Sequence, residues 1–396
     1  MSEPLEFDPY SDVYFNDPYE VYRRLRDEAP VYRNDHYGFW ALSRYDDVVT
    51  AHRDWKTFTS TQGITIDMLT DPDMGALLKQ STGSMIFMDP PDHDRMRALV
   101  SRVFTPKAVA DLEPMIRGLV RKYLDPLDGD EMDLVADFSG PFPVEVISVM
   151  LGVPEPDRQQ IRHWTDEMLS REPGNPKPTP QGMEAGLNLG IYIHGLAAEK
   201  RQRPADDMIS RLCAVGLSDD EVAGFSLLLA GAGSETVTKL IGGGVVLFAR
   251  NPEQWRKVID DRALLVPAVE EILRYWAPSQ YQGRCSTVET EWHGVTIPAN
   301  EPVLLITGAA NRDERAYEDP DRFDVERPLK LNVGFGHGIH TCLGAALARL
   351  ESRIAFDEIA TRWPEYAVDE SRCKRVNMSN VAGYSSVPVR VPAPAA

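Results

Sequence analysis

Phe335-Gly-His-Gly-Ile-His-Thr-Cys342-Leu-Gly344 runs directly into the apolar stretch Ala345-Ala-Leu-Ala-Arg-Leu350. A lone cysteine therefore stands between a glycine-rich loop and a helix N-terminus. The free N–H groups and positive dipole end of such a helix favour thiolate over thiol. Gly336, Gly338 and Gly344 remove side chains that would hold the backbone away from a large flat ligand, and Phe335 and Leu343 can screen the sulfur from water. A screened thiolate with no second cysteine nearby suits an axial ligand of haem iron. Two other readings compete: a small buried hydrophobe, the commonest fate of a cysteine, or a dinucleotide-binding turn at Gly334-x-Gly336-x-Gly338 after a strand at Leu331–Val333. The dinucleotide fingerprint wants a further glycine where Ile339 stands, opens a βαβ array that this chain lacks, and gives Cys342 no role.

Working outward, 396 residues can bury a large core as one domain or two. The balance of 42 basic against 61 acidic residues, a net charge of -19, argues against nucleic acid or an anionic membrane as partner. Cys213, Cys285, Cys342 and Cys373 are too scattered for a zinc site, an iron–sulfur site or a disulfide framework, so a reducing cytoplasm is expected. The N-terminal MSEPLEFDPYSD is acidic and has no apolar core, which predicts neither signal peptide nor membrane anchor. The longest apolar stretch, Val222–Phe248, contains Glu235 and Lys239 and reads as a buried core helix.

The pattern predicts a mainly α chain with small peripheral sheets. A short helix is expected over Asp17–Glu28, then a β-hairpin at Pro30–Arg33 and Gly38–Leu42, then a long irregular segment over 58–88. Helical periodicity dominates about 90–280 and returns over 343–362; β-rich portions fall at about 30–60, 284–306 and 375–392. Arg171–Gly182 holds four prolines and cannot be helix interior, so it is either a mobile lid or a plain connector. Ser218-Asp-Asp-Glu221 is a capping box that opens a helix of some thirty residues, roughly 45 Å long.

Inside that helix, Ala230-Gly-Ala-Gly-Ser-Glu-Thr236 places glycines and a carboxylate where stability alone would avoid them. Room for a ligand at Ala232, with Glu235 and Thr236 relaying protons, is one reading; close helix packing is the other. Glu271 and Arg274 form an i,i+3 pair on a helix that Pro267 would start, and Arg322 could complete a buried Glu–Arg–Arg cluster. His93 and Arg97 share a helix face and suit a carboxylate or phosphate clamp, with Arg284 and His340 as further isolated donors.

Taken together, these residues resemble the cytochrome P-450 family, in its soluble bacterial form, over essentially the whole chain. Phe335, Gly338, Cys342 and Gly344 match the family's cysteine loop Phe-x-x-Gly-x-x-x-Cys-x-Gly. Glu271 and Arg274 match Glu-x-x-Arg, residues 320–323 match Pro-x-Arg-Phe, Ala232–Thr236 match the oxygen-activating motif, and His93 with Arg97 match His-x-x-x-Arg. The resemblance implies one cytochrome P-450 domain over 1–396, with the long helix crossing haem b (iron protoporphyrin IX) and the cysteine loop on its other face. It implies Cys342 as proximal thiolate, with Ala232, Phe335 and Gly344 also against the haem. His93, Arg97, Arg284 and His340 would hold the propionates. Thr236 would stabilise dioxygen, Glu235 would help deliver protons, and Glu271, Arg274 and Arg322 would be structural.

The implied reaction is RH + O2 + two electrons + two protons giving ROH + water. Electrons would come from a ferredoxin and its NAD(P)H-dependent reductase, since the chain carries no flavin or iron–sulfur domain; a monomer is expected. A basic docking patch of Arg95, Arg102, Lys107, Arg349 and Arg353 would suit an acidic ferredoxin. By the same analogy Met85, Ile86, Leu228, Leu229, Gln280, Gln282, Val381 and Tyr384 would line the substrate pocket. With no charged anchor among them, they favour a neutral hydrophobic substrate: a lipid, terpenoid or steroid-like molecule, with a secondary-metabolite scaffold or aromatic acid as alternative. A haem-containing sensor without turnover is the other class, and the intact Glu235–Thr236 pair argues against it.

Overall fold

The chain is described from a computed structural model over residues 4–80, 83–127 and 129–391; positions 81 and 82 of the expected irregular segment and residue 392 of the expected C-terminal β portion lie outside the described residues. The longest helix, Asp219–Arg250, has 32 residues and opens on the expected capping box: Glu221 N–H donates to Ser218 Oγ at 3.1 Å, and Ser218 N–H donates to the Glu221 carboxylate at 3.0 Å. Its C-terminal half is buried almost without interruption. Gly243 is what lets Trp276 approach, because a Cβ there would stand 2.9 Å from the indole ring. Around this axis pack helices Pro141–Leu151, Arg158–Leu169, Pro180–Gln202 and Ala345–Arg362.

The largest sheet has five strands in the spatial order Val31–Asn34, Phe39–Leu42, Pro302–Leu305, Gln282–Ser286 and Phe58–Thr59. The expected hairpin is present, with Val31 opposite Leu42, and the third strand joins it in parallel. This sheet carries Arg284 on its fourth strand. Near the C-terminus, Lys374–Arg375 pairs with Tyr384–Ser386, and Pro388–Arg390 lies between Glu131–Asp133 and Ala367–Val368.

Two local expectations need correction. The 58–88 segment is partly helical, with helices at Ile66–Thr70 and Pro72–Gln80. Asp71 starts the second of these, because its carboxylate accepts from the Asp73 N–H at 2.9 Å and Pro72 needs no donor partner in a first turn. Residues 331–333 form no strand, which removes the dinucleotide-turn alternative.

The Glu–Arg–Arg cluster exists, but with a different third member. On helix Leu265–Tyr275, which begins two residues before Pro267, Glu271 and Arg274 form a buried bidentate pair with both contacts at 2.7 Å. The second arginine is Arg327, whose Nε stands 3.2 Å from Glu271 Oε1. The Arg322 side chain is 62% exposed and pairs with Asp319 and Asp324; only its carbonyl faces inward, accepting from Arg274 and Arg327. Arg322 has acidic neighbours at the surface that hold its charge in water, whereas Arg327 finds three carbonyls and a buried carboxylate.

The proline-rich 171–182 segment joins helices Arg158–Leu169 and Pro180–Gln202. Arg171 anchors it: the buried guanidinium pairs with Asp67 at 2.9 Å and donates to the carbonyls of Met168, Ser170 and Pro176.

Candidate active site

A cavity lies between the long helix and the cysteine loop, and it reaches Cys342, Thr236 and Arg284 together. The loop is shaped by its own backbone: Cys342 N–H donates to the Phe335 carbonyl at 2.9 Å, and Gly336 N–H to Val333 at 2.8 Å. Cys342 is exposed, but what it faces is this cavity. Desolvation raises its thiol pKa, against the pull of the Gly344 amide, Arg97 and Arg349.

Of the three loop glycines, only Gly344 has open space where a Cβ would be. Gly336 and Gly338 are required by φ values of +66° and +73°, and a Cβ on Gly338 would collide with the His52 carbonyl. Two of the three thus serve the fold of the loop and one serves a ligand's approach.

One edge of the cavity gathers polar donors. His93 and Arg97 both come from helix Asp92–Val100; Arg97 lines the cavity and donates to the Thr341 carbonyl at 2.7 Å, whereas His93 does not line it but is buried edge-on to His340 at 4.7 Å. Arg284 is buried and, among the described residues, donates only to the carbonyl of Gly283, at 2.7 Å. Burial pulls its pKa down to about 10, so it stays charged at neutrality. His340 is pushed down to about 3 by burial and by Arg284, His93 and Arg97, and is neutral. His52, from helix Tyr45–Arg53, is also held neutral, well below its usual range, by burial and the Arg284 charge. Both His52 nitrogens and one nitrogen each of His93 and His340 are buried without a hydrogen-bond partner.

Each such orphan costs about 1–3 kcal/mol. Two guanidinium groups and three imidazole rings, each able to offer an N–H, call for an anionic ligand with several acceptor oxygens. With a thiol facing the cavity and apolar walls, this donor set fits a flat macrocycle that carries carboxylates on one side. His52 escaped the sequence reading because it is one buried residue of an ordinary amphipathic helix with no motif around it.

The long helix forms the opposite wall. Thr236 faces the cavity, its hydroxyl donating to the Ala232 carbonyl at 2.9 Å. Gly233 admits Ile147, which would stand 2.8 Å from a Cβ there, so the packing reading of these glycines holds alongside the ligand reading. Glu235 is not on the cavity wall. One helix position turns a side chain by about 100°, and Glu235 is buried instead against Lys239, with Nζ to Oε2 at 2.8 Å.

Of the expected pocket residues, Met85, Ile86, Leu228, Leu229 and Gln282 line the cavity, while Gln280, Val381 and Tyr384 do not. Gln280 accepts from the Tyr22 hydroxyl at 2.9 Å, Val381 packs with Val376 and Met378, and Tyr384 stacks on Trp276 at 5.4 Å. Phe225, Ile147 and Glu351 line it without having been foreseen. Glu351 has both carboxylate oxygens buried and unpartnered, and burial raises its pKa well above the ordinary value.

The expected basic patch is largely neutralised. Arg349 pairs with Glu270, Arg353 with Glu113, Arg95 with Glu221 and Lys107 with Asp111; Arg102 is exposed. An apolar groove lined by Val109, Val266, Val269 and Leu350 runs between Arg349 and Arg353.

Comparison with known proteins agrees with this geometry. Residues 197–363 match the family model described as Cytochrome P450. Cytochrome P450 123 of Mycobacterium tuberculosis is 41% identical, with 98% of each chain covered. The methyl-branched lipid omega-hydroxylase of the same species is 37% identical over 89% of this chain and 84% of that protein. The crystal structure of CYP109E1 from Bacillus megaterium in complex with testosterone is similar with a TM-score of 0.86 at 33% identity, covering 95% of this chain and 98% of the other.

Proposed function

The chain belongs to the cytochrome P450 family, a haem-thiolate monooxygenase family, and on that premise we propose that it hydroxylates a neutral, largely hydrophobic lipid or steroid-like molecule. One observation carries the substrate class: among the described residues, the wall formed by Met85, Ile86, Ile147, Phe225, Leu228 and Leu229 carries no charge. The nearby Gln282 amide is already engaged, donating to Ser279 at 2.8 Å and accepting from Thr307 at 2.6 Å. A charged substrate would have to give up its hydration without a partner here. The names of the lipid omega-hydroxylase and of the testosterone complex lean the same way.

Haem, when bound, supplies the activation of dioxygen, with a thiolate ligand favouring O–O cleavage. Cys342 would be that ligand, and Phe335 would shield its sulfur under the Arg349 guanidinium, which lies 4.6 Å from the ring. Arg97, Arg284, His52, His93 and His340 would hold the propionates. Ala232 leaves room for the macrocycle. Thr236 would turn its Oγ1 proton from the Ala232 carbonyl toward the cavity, giving up one hydrogen bond worth about 1 kcal/mol, and Glu235 would resupply that proton.

Electrons would come from a small ferredoxin reduced by an NAD(P)H-dependent reductase. The groove between Arg349 and Arg353 is the proposed docking face, where acidic groups of the ferredoxin would replace Glu270 and Glu113 as partners. Among the described residues no helix is long and apolar enough to cross a membrane.

Testosterone and a long-chain fatty alcohol, both uncharged, are the probes to use first. Each should shift the spin state of the ferric holoprotein, read from its absorbance, and yield a hydroxylated product with NADH and a surrogate ferredoxin. The red-shifted band of the reduced carbon monoxide complex should vanish in Cys342→Ala. Spin shifts confined to aromatic acids would refute the substrate class, and NADH consumption without product from either probe would do the same.

A further inference from the structure

Ile147 reaches the cavity from outside the long helix. It sits on helix Pro141–Leu151, which packs against the long helix, and it is buried. The lining residues around it, Leu229, Ala232 and Thr236, belong to the long helix itself. A gap at Gly233 lets Ile147 through. A Cβ there would stand 2.8 Å from Ile147 Cδ1 and 3.0 Å from its Cγ1, with Leu229 Cδ1 at 3.6 Å. The tip of Ile147 therefore fills the volume that any other residue at 233 would claim.

Two contacts hold that tip at a fixed depth. Thr238 Oγ1 donates to the Ser139 carbonyl at 2.8 Å, which ties the chain just ahead of helix Pro141–Leu151 to the long helix, less than two turns beyond Gly233. Glu145, two residues before Ile147, is buried and pairs with Arg158 at 3.0 Å. A β-branched side chain inside a helix is also confined to one main χ1 rotamer. Ile147 is thus a stiff element of the wall, where a methionine would yield.

We propose that Ile147 is a specificity-determining residue, whose tip, passing through the gap at Gly233, narrows the cavity beside Thr236. The pocket then favours a slender reacting end, such as an unbranched chain terminus or an unsubstituted ring edge, over a branched one. The inference rests on the reading of Thr236 as the residue at the reacting end of the substrate. Its basis is steric, since Ile147 offers no polar atom, and one methylene too many in a fixed apolar pocket is rejected by roughly 10- to 200-fold. Positions 147 and 233 act together, because the Ile147 tip and a methyl group at 233 exclude each other. Ile147→Val withdraws only the Cδ1 methyl, Ile147→Ala empties the gap, and Gly233→Ala refills part of it from the other helix.

Alkyl isocyanides test this, because they bind haem iron and measure the breadth of the pocket there without substrate or turnover. In absorbance titrations of the ferrous holoprotein, wild type should bind n-butyl isocyanide about tenfold or more tightly than tert-butyl isocyanide. Ile147→Val should lower that ratio, Ile147→Ala should bring it close to one, and Gly233→Ala added to Ile147→Ala should restore part of it. Thermal denaturation reads the shared volume separately. Gly233→Ala should lower the midpoint when Ile147 is present and raise it when Ile147 is alanine, since the clash is then gone and alanine favours the helix. The red-shifted carbon monoxide band shows for each variant that the haem site is assembled, and the mild Ile147→Val change keeps the test open if Ile147→Ala does not fold. Spin-state titration with a straight-chain fatty alcohol and its terminally branched isomer should repeat the isocyanide pattern. An isocyanide ratio unchanged in the Ile147 variants overturns the role of Ile147, whatever the substrate. An isocyanide ratio that moves while the two alcohols keep theirs overturns it for substrate selection. If the isocyanide ratio moves and neither alcohol shifts the spin state, Ile147 stands as the gauge of the pocket and the failure lies with the lipid reading.

Discussion

Replacing Arg327 should damage this protein far more than replacing Arg322, although the sequence motif points to Arg322. In Arg327→Met, Glu271 loses a cation 3.2 Å from its Oε1 while remaining buried. The carbonyls of Glu318, Asp319 and Arg322 lose donors at 2.6, 2.9 and 2.7 Å. Those carbonyls lie near the surface and can take up water, so their loss is small. The carboxylate cannot, but it keeps both bonds to Arg274. Breaking a fully buried ion pair costs about 3–5 kcal/mol, and with one partner retained the expected loss is about 2–4 kcal/mol. Arg322→Met removes only exposed pairs, for which about 0–1 kcal/mol is usual. Guanidinium unfolding of the holoprotein, followed by circular dichroism and by haem absorbance, measures both variants. Because the 318–327 segment leads into the cysteine loop, Arg327→Met should also release haem faster. Equal midpoints for the two variants, or a larger loss at Arg322, would refute the assignment of Arg327 to the cluster.

Three further outcomes are expected. Burial keeps Glu351 protonated in the fold at a pH where the unfolded chain, with a carboxyl pKa near 4.5, has already ionised. Its contribution to stability is therefore greatest below that value and is lost as pH rises, by about 1.4 kcal/mol per unit; Glu351→Gln should flatten the dependence of the denaturation midpoint on pH above 4.5 and leave the protein more stable at neutrality. An unchanged slope would mean that Glu351 has a partner. His52→Phe should speed haem dissociation about tenfold, the equivalent of one hydrogen bond, while making the haem-free protein more resistant to denaturant, because two orphaned nitrogens are removed; loss of stability in both forms would count against a propionate role. Arg171→Met should cost about 3–5 kcal/mol by stranding the buried Asp67 carboxylate and should accelerate imidazole entry in stopped flow, whereas Arg171→Met with Asp67→Asn should recover most of the stability but not the slow entry.

Features carried by contiguous residues were legible in the sequence: the capping box at Ser218, the hairpin at 31–42, the His93–Arg97 helix face and the cysteine loop itself. Each depends on local spacing that a fold cannot easily override. What stayed hidden depends on direction or on distant partners. Arg322 and Arg327 are both arginines of one loop, and only the carbonyls and acids around them decide which turns inward. Thr236 and Glu235 are adjacent, yet helix rotation puts one in the cavity and the other against Lys239. The charged rim around Arg349 and Arg353 looked free because Glu270 and Glu113 lie far away along the chain. His52 and Glu351 carry no motif at all and stand out only through buried atoms that lack partners.

The cysteine loop owes two of its glycines, and the bond from Cys342 to Phe335, to contacts within the protein. The contour of this socket is thus set by the protein's own contacts. Such a socket should accept porphyrins carrying other metals, provided their carboxylates reach the donors at its edge. Exchange of the natural cofactor for a synthetic one would then be a matter of competition for His52, His93, Arg97, Arg284 and His340 rather than of refolding the chain.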